Sequence, residues 1–203
     1  MEEFNMYSNK NMPKTRLEKR HVERAKLISD RNELLNYLPK YGICAEIGVD
    51  KGEYSQSIFD RNRPARLHLI DRWGSERYGD ECEKAVRDRF SNEIAENKIV
   101  INKGASVEVL SGFPDEYFDW TYIDTIHDYE LTSKELEVCR RKVRKGGIIA
   151  GHDFTMGNWN TGYKYGVIEA VYEFCAKYDW EFYAITMELN SNSFALREIQ
   201  APQ

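Results

Sequence analysis

The chain has 203 residues, of which 41% are hydrophobic and 31% charged, with a net charge of −5. That balance fits one soluble globular domain with a sizeable core and argues against a nucleic-acid polyanion as the main partner. No apolar run approaches a membrane span, MEEFNMYSNK lacks an apolar signal stretch, and Cys44, Cys82, Cys139 and Cys175 are scattered without a C-x-x-C pair, which reads as a reduced, cytoplasmic protein.

Residues 1–14 lack periodicity, but Phe4, Met6, Tyr7 and Met12 give this arm enough apolar character to fold over a substrate. Helical spacing follows at Leu17, Leu27, Ile28, Leu34, Leu35 and Leu38, with Asp30 and Glu33 at capping-box distance, so a helix is expected up to Pro39. Residues 1–40 are thus read as an arm and helix, a candidate lid, and 41–203 as the main unit of a single globular whole. Ile43–Ile47 reads as a buried strand, Gly48–Gly52 as a turn, and the residues through Phe59 as a helix. A strand that ends in glycines and opens a helix leaves unpaired N–H groups for a ligand. The spacing here is E-x-G-x-x-x-G (Glu46, Gly48, Gly52), not the dinucleotide fingerprint G-x-G-x-x-G. A carboxylate at the strand end suits a cationic amino-acid portion and repels a pyrophosphate.

Arg66–Ile70 is a second strand, ended by Asp71, 23 residues past Gly48, where an acidic side chain grips ribose hydroxyls. His68, mid-strand, reads as packed. After a loop over 72–81, Val86, Phe90 and Ile94 mark a helix ending near Asn97. Ile99–Ile101 is a third strand; the small-residue turn Lys103-Gly104-Ala105-Ser106 after it is where an adenine ring could lie, with Ser106 or a nearby backbone amide as polar contact, before a short helical piece at Val107–Leu110. Phe118–Ile123 is a strand ended by Asp124. Leu136, Cys139 and Val143 share a helical face that Gly146-Gly147 stops. Ile148–Ala150 is a strand ending in Gly151-His152-Asp153, and Ile168, Val171, Tyr172 and Cys175 mark a helix. Glu181–Met187 and Ser193–Ile199 close the chain as antiparallel neighbours. Alternating strands and helices predict a doubly wound α/β sheet with ligands at the carboxyl ends of its strands. Glu46, Asp71, Ser106, Asp124 and Asp153 all lie at such ends.

The stretch ICAEIGVDKGEYSQSIF resembles motif I of the class I S-adenosylmethionine (SAM) dependent methyltransferases. FDWTYIDTIHDYE and RKGGIIAGHDF resemble the F-D-x-x-x-I-D-x-x-H-x-Y and GG-x-x-x-x-H-D pattern of their small-molecule O-methyltransferase branch, over roughly residues 40–199. The resemblance implies a Rossmann-like sheet of seven strands with the last antiparallel, SAM as cofactor, and methyl transfer to a hydroxyl. Glu46, Gly48, Gly52, Asp71, Ser106 and Asp124 are the expected cofactor contacts. His127, three residues past Asp124, is the expected general base, with Asp124 beside it in the catalytic pair. Asp124 and Asp153 end adjacent strands, so their carboxylates could converge on Mg²⁺ or another divalent cation. Metal-dependent catechol-type relatives place an asparagine ligand after the second aspartate; Phe154 stands there, so the third ligand is either missing or comes from elsewhere, with His152 as a candidate substitute.

Trp73, Trp159, Tyr163 and Tyr165 sit in long loops near the expected mouth, either to stack on a sugar or aromatic ring or to anchor packing; Trp120 and Trp180 read as core. The expected partner is a small hydroxylated molecule, with no nucleic acid and no membrane, and a homo-oligomer stays open. A nicotinamide-dependent oxidoreductase is disfavoured by the missing phosphate-binding glycines. A non-catalytic SAM-binding module is the other alternative.

Overall fold

A computed structural model describes residues 12–75, 77–158 and 160–200; Phe4, Met6 and Tyr7 of the arm, and Trp159, lie outside the described residues. In chain order the elements are β1 (Lys26–Ile28), α1 (Arg31–Leu34), β2 (Ile43–Ile47), α2 (Glu53–Asn62), β3 (Arg66–Asp71), α3 (Asp80–Arg89), α4 (Ser91–Ala95), β4 (Ile99–Lys103), α5 (Ser106–Ser111) and β5 (Phe118–Ile123). There follow α6 (Tyr129–Lys142), β6 (Val143–Gly151), a small hairpin of β7 (Gly157–Asn158) and β8 (Tyr163–Lys164), α7 (Val167–Tyr178), β9 (Trp180–Thr186) and β10 (Phe194–Glu198).

The main sheet has the order β1-β9-β10-β6-β5-β2-β3-β4. β10 runs antiparallel to both neighbours and the other pairs are parallel. These are the seven expected strands with an antiparallel last one, plus an eighth, β1, at the edge. The strands are apolar on both faces because helices cover both. Successive residues alternate between two cores: Cys44, Leu69 and Tyr122 pack with Tyr54, Ile58 and Val86 on one side, while Ala45, Ile70 and Ile123 pack with Leu136, Val171 and Cys175 on the other. The four cysteines are free and buried, as their placement on apolar faces suggested. Among the described residues no helix is long and apolar enough to cross a membrane.

Three boundaries differ from the sequence reading, each for a tertiary reason. Leu27 and Ile28 have helical spacing but lie in β1, which pairs in parallel with β9 (Leu27 opposite Ile185). An open sheet edge offers this segment a full ladder, and local propensity is too weak to resist it. The helix does start at Asp30, whose carboxylate accepts from the Asn32 and Glu33 N–H groups at 2.9 Å each, yet α1 lasts one turn before a 3-10 turn over Leu35–Tyr37. Val143 leaves α6 and opens β6 opposite Phe118. Gly146 and Gly147 therefore fall inside β6 rather than stopping a helix; a Cβ on Gly147 would stand 2.5 Å from the Asp119 carbonyl oxygen.

Candidate active site

The carboxyl ends of β2, β5 and β6 meet at one point. The Asp124 N–H donates to the Ile47 carbonyl at 2.7 Å, and the Gly48 N–H donates to the Ile70 carbonyl at 2.9 Å. A Cβ on Gly48 would sit 1.8 Å from the Asp124 carbonyl oxygen, and its φ is +87°. Only glycine lets the two strand ends approach this closely. Gly52, at φ +75°, sits before α2 and packs against Phe90 and Val86.

Asp71 fixes this turn. Its carboxylate accepts from the N–H groups of Val49 at 2.7 Å, Asp50 at 3.1 Å and Trp73 at 2.9 Å. The N–H groups expected to wait for a ligand are thus partly answered by Asp71, and one lone-pair position of its carboxylate remains for a ribose hydroxyl. Trp73 is a packing anchor rather than a stacking surface: it is 1% exposed, and its indole N–H donates to the Asp50 carbonyl at 2.9 Å. Glu46 also departs from expectation. It is 2% exposed and accepts the Ser55 hydroxyl of α2. Burial pushes its carboxyl up to about 8 against the opposing Ser55 hydrogen bond. It links β2 to α2, and burial favours its neutral form. Ser106 is the first residue of α5 and half-buried, at the end of β4 as expected.

The structure brings His127, Asp124, Asp153 and His152 together. His127 Nε2 lies 2.6 Å from Asp153 Oδ2 and 3.5 Å from Asp124 Oδ1. His152 Nδ1 lies 3.4 Å from Asp153 Oδ2 and 3.9 Å from Asp124 Oδ2, and the Ser191 hydroxyl donates to Asp153 Oδ1 at 2.7 Å. His127 (φ +64°) and Asp153 (φ +55°) both adopt left-handed backbone, a conformation that costs of order 1–3 kcal/mol at a non-glycine residue. The surroundings hold it: the Gly166 N–H donates to the His127 carbonyl at 2.8 Å, and the Phe154 N–H to the Asn192 carbonyl at 2.9 Å. Burial opposes charge on His127, but the hydrogen bonds and negative charges of Asp124 and Asp153 outweigh it and lift the imidazole to about 9. Burial likewise opposes the Asp153 anion, and the hydrogen bonds and charges of His127 and His152 overcome it, holding the carboxyl well below the usual range.

Arg31 is the site residue that the sequence reading missed. Its Nη1 stands 3.5 Å from Asp124 Oδ2, and its guanidinium lies 4.6 Å from the centre of the Tyr54 ring. The signal present was indirect: the Asp30 cap places Arg31 at the first helical position, but nothing in the pattern says that this helix end faces β5. One donor atom each from Asp124, His152 and Asp153 falls within 4.8 Å of the others, a set that fits a divalent cation. Phe154 packs against Phe182 and Phe194 and offers no ligand. Above His127, the Tyr165 ring lies 4.7 Å away, and Tyr163 lies 5.9 Å beyond it. Tyr163 lies in β8 and is exposed, and Tyr165 follows directly after that strand.

Solved structures share this fold. The pyocyanin biosynthetic protein PhzM is 15% identical with a TM-score of 0.60, over 79% of this chain and 51% of that one. The chain thus spans about half the length of PhzM. Precorrin-6y C5,15-methyltransferase from Geobacter metallireducens is 14% identical with a TM-score of 0.59, over 82% and 85%. SMU.1697c from Streptococcus mutans, solved in complex with S-adenosylhomocysteine (SAH), is 10% identical with a TM-score of 0.60, over 83% and 95%. At these identities the likeness is one of fold. No curated protein matches the chain. The family model described as "Methyltransferase domain" matches residues 45–154, more than half of the chain. On that match, the chain belongs to this family of class I SAM-dependent methyltransferases.

Proposed function

We propose that the chain transfers the methyl group of SAM to a hydroxyl of a small, ring-bearing molecule. The observation that carries this reading is the His127–Asp153–Asp124 constellation beside the Gly48 turn. SAM carries a zwitterionic amino-acid end. The loose Arg31–Asp124 pair, at 3.5 Å, is complementary to it: the ligand's ammonium goes to Asp124 and its carboxylate to the Arg31 fork. Ser106 faces the adenine and Asp71 a ribose hydroxyl. This clamp takes over the role expected of Glu46.

Methyl transfer needs the sulfonium methyl in line with the acceptor oxygen, which is positioning, and a group to take the hydroxyl proton. His127 is that group. Before cofactor binds it is charged, because Asp124 and Asp153 favour the imidazolium. A cationic ligand at Asp124 neutralises part of that support and returns the imidazole toward the neutral form. The acceptor O–H then donates its proton to His127, the oxygen forms a bond to the methyl carbon, the carbon–sulfur bond breaks, and SAH leaves. Tyr165 and Tyr163 supply flat surface for a sugar or aromatic acceptor.

A metal-assisted variant of the same reaction is favoured by the convergence of Asp124, His152 and Asp153. A divalent cation held by these three residues would act as a Lewis acid on the acceptor oxygen.

Calorimetric titration with SAH, with Mg²⁺ and with EDTA, tests the cofactor site. Micromolar binding is expected, and its absence under both conditions ends the reading. His127→Ala separates enzyme from binding module: SAH binding is retained and methyl transfer to a hydroxyl panel is lost. Unchanged transfer by that variant removes His127 from the mechanism.

A further inference from the structure

Below the acid–base cluster, Glu135 of α6 is 0% exposed. Its Oε2 accepts the Thr125 hydroxyl at 2.9 Å. Its Oε1 has no hydrogen-bond partner among the described residues. Burial pushes the carboxyl up to about 7; the Ser106 and Thr125 hydroxyls, both close by, oppose the rise. The residues around it on α6, Leu136, Val138 and Cys139, are buried and apolar. A purely structural position here would be better filled by another apolar side chain, because a buried carboxyl with an unanswered oxygen is costly.

The location explains what the acid does. Thr125 lies between Asp124 and His127, on the turn after β5. Ser106 lies on the turn after β4. Those turns carry the two halves of the reaction, the base and the adenine side of the cofactor, and Glu135 stands between them. We propose that Glu135 is a positioning residue that ties the adenine-side turn to the base-bearing turn. When the adenosyl group orders Ser106, the Ser106 hydroxyl donates to the free Oε1, and the carboxyl, holding Thr125 with its other oxygen, fixes the 124–127 segment. The inference rests on the SAM site proposed above, with Ser106 on its adenine side.

The test measures SAH affinity of the full chain by calorimetry for Ser106→Ala, Thr125→Val and the double variant, in the wild-type and Glu135→Gln backgrounds. Thr125 is not among the residues assigned to the SAM site above and its hydroxyl is taken up by Glu135, so a merely structural Glu135 leaves SAH affinity unmoved by Thr125→Val. The expected result is a loss of roughly fivefold for Thr125→Val, and a double variant no weaker than the stronger single, which is a coupling of about fivefold. In the Glu135→Gln background, Thr125→Val adds nothing further. Single effects that multiply in the double variant, or no effect of Thr125→Val, overturn the inference while leaving the SAM site intact. A wild-type chain that fails to bind SAH overturns both. Should Glu135→Gln not fold, the cycle in the wild-type background still decides between these outcomes, since both of its substitutions are small.

Discussion

The pairing of His127 with Asp153 predicts a stability that depends on pH in a defined direction. In the folded chain the imidazole titrates at about 9, against about 6.5 for a free histidine. Folding therefore favours the charged form by about 3 kcal/mol. A group whose folded value is raised contributes fully below its unfolded value and loses that contribution as pH rises through the folded one. The perturbation is His127→Asn, because asparagine also tolerates the left-handed backbone found there (φ +64°) and so removes the charge without adding strain. Urea unfolding of both proteins at fixed ionic strength should show wild type ahead by about 3 kcal/mol at pH 6, about 1 at pH 8 and near zero at pH 10. The comparison must be a difference. Glu46, lifted to about 8 by burial against its Ser55 hydrogen bond, binds a proton more tightly folded than unfolded, so its contribution to the stability of both proteins falls as pH rises from its unfolded value to that pH. His152, 3.4 Å from the same Asp153 oxygen, is also common to both. A gap that stays constant from pH 6 to pH 10, or that widens, would refute the claim that His127 is charged in the folded protein.

The same ionisation governs catalysis: kcat/KM, which reports the free enzyme, should climb with pH toward about 9, and a profile already flat from pH 6.5 would remove His127 as the base. Arg31→Lys keeps the charge but loses the guanidinium fork, so SAH affinity should fall about tenfold; unchanged calorimetric affinity would take the carboxylate contact away from Arg31. Gly48→Ala forces a Cβ to within 1.8 Å of the Asp124 carbonyl oxygen at a φ of +87°, a loss of more than about 4 kcal/mol. Gly74→Ala, whose nearest neighbour is 3.6 Å away, is the control; equal melting temperatures for the two would contradict the packing described. Mg²⁺ titration should give heat in wild type and none in Asp153→Asn if the three donors hold a cation, whereas a silent wild type leaves Asp124 and Asp153 to Arg31 and His127.

The parts of the fold set by repetition were legible in the sequence. Ile43–Ile47, Arg66–Asp71 and Phe118–Ile123 are apolar on both faces and bounded by turn residues, and each is a central parallel strand. Asp124 and Asp153 follow adjacent parallel strands, which is why topology could place them together, whereas His127 and His152 came with the motifs of the resemblance. What failed depended on partners distant in sequence. Leu27 and Ile28 have helical spacing, and only the open edge of β9, more than 150 residues later, turns them into a strand. Trp73 is polar-flanked and in a loop, yet the Asp50 carbonyl captures its indole and buries it.

Glu46 shows how far a motif reaches, because its place at the strand end follows from the spacing whereas the direction of its side chain does not. A strand-end carboxylate can point up to the pocket or sideways to a helix, and alternation along β2 decides which. Cys44 packs in the core beside α2, so Glu46, two residues on, faces the same side and meets Ser55. In the SAM site proposed above, the cationic end of the cofactor is therefore assigned to Asp124. Asp124 lies past the end of β5, outside the alternation, and its carboxylate is held by no backbone N–H among the described residues, only by Arg31, His127 and His152 at 3.5 Å or more. Such loose contacts exchange readily for a ligand's ammonium, whereas the Ser55–Glu46 bond is buried and does not. Asp124→Asn should therefore weaken SAH binding by about tenfold or more, while Glu46→Gln, which preserves a neutral hydrogen-bonding group in the same place, should change it by less than about threefold. The reverse ranking in calorimetry would restore Glu46 as the ammonium partner and take that role from Asp124.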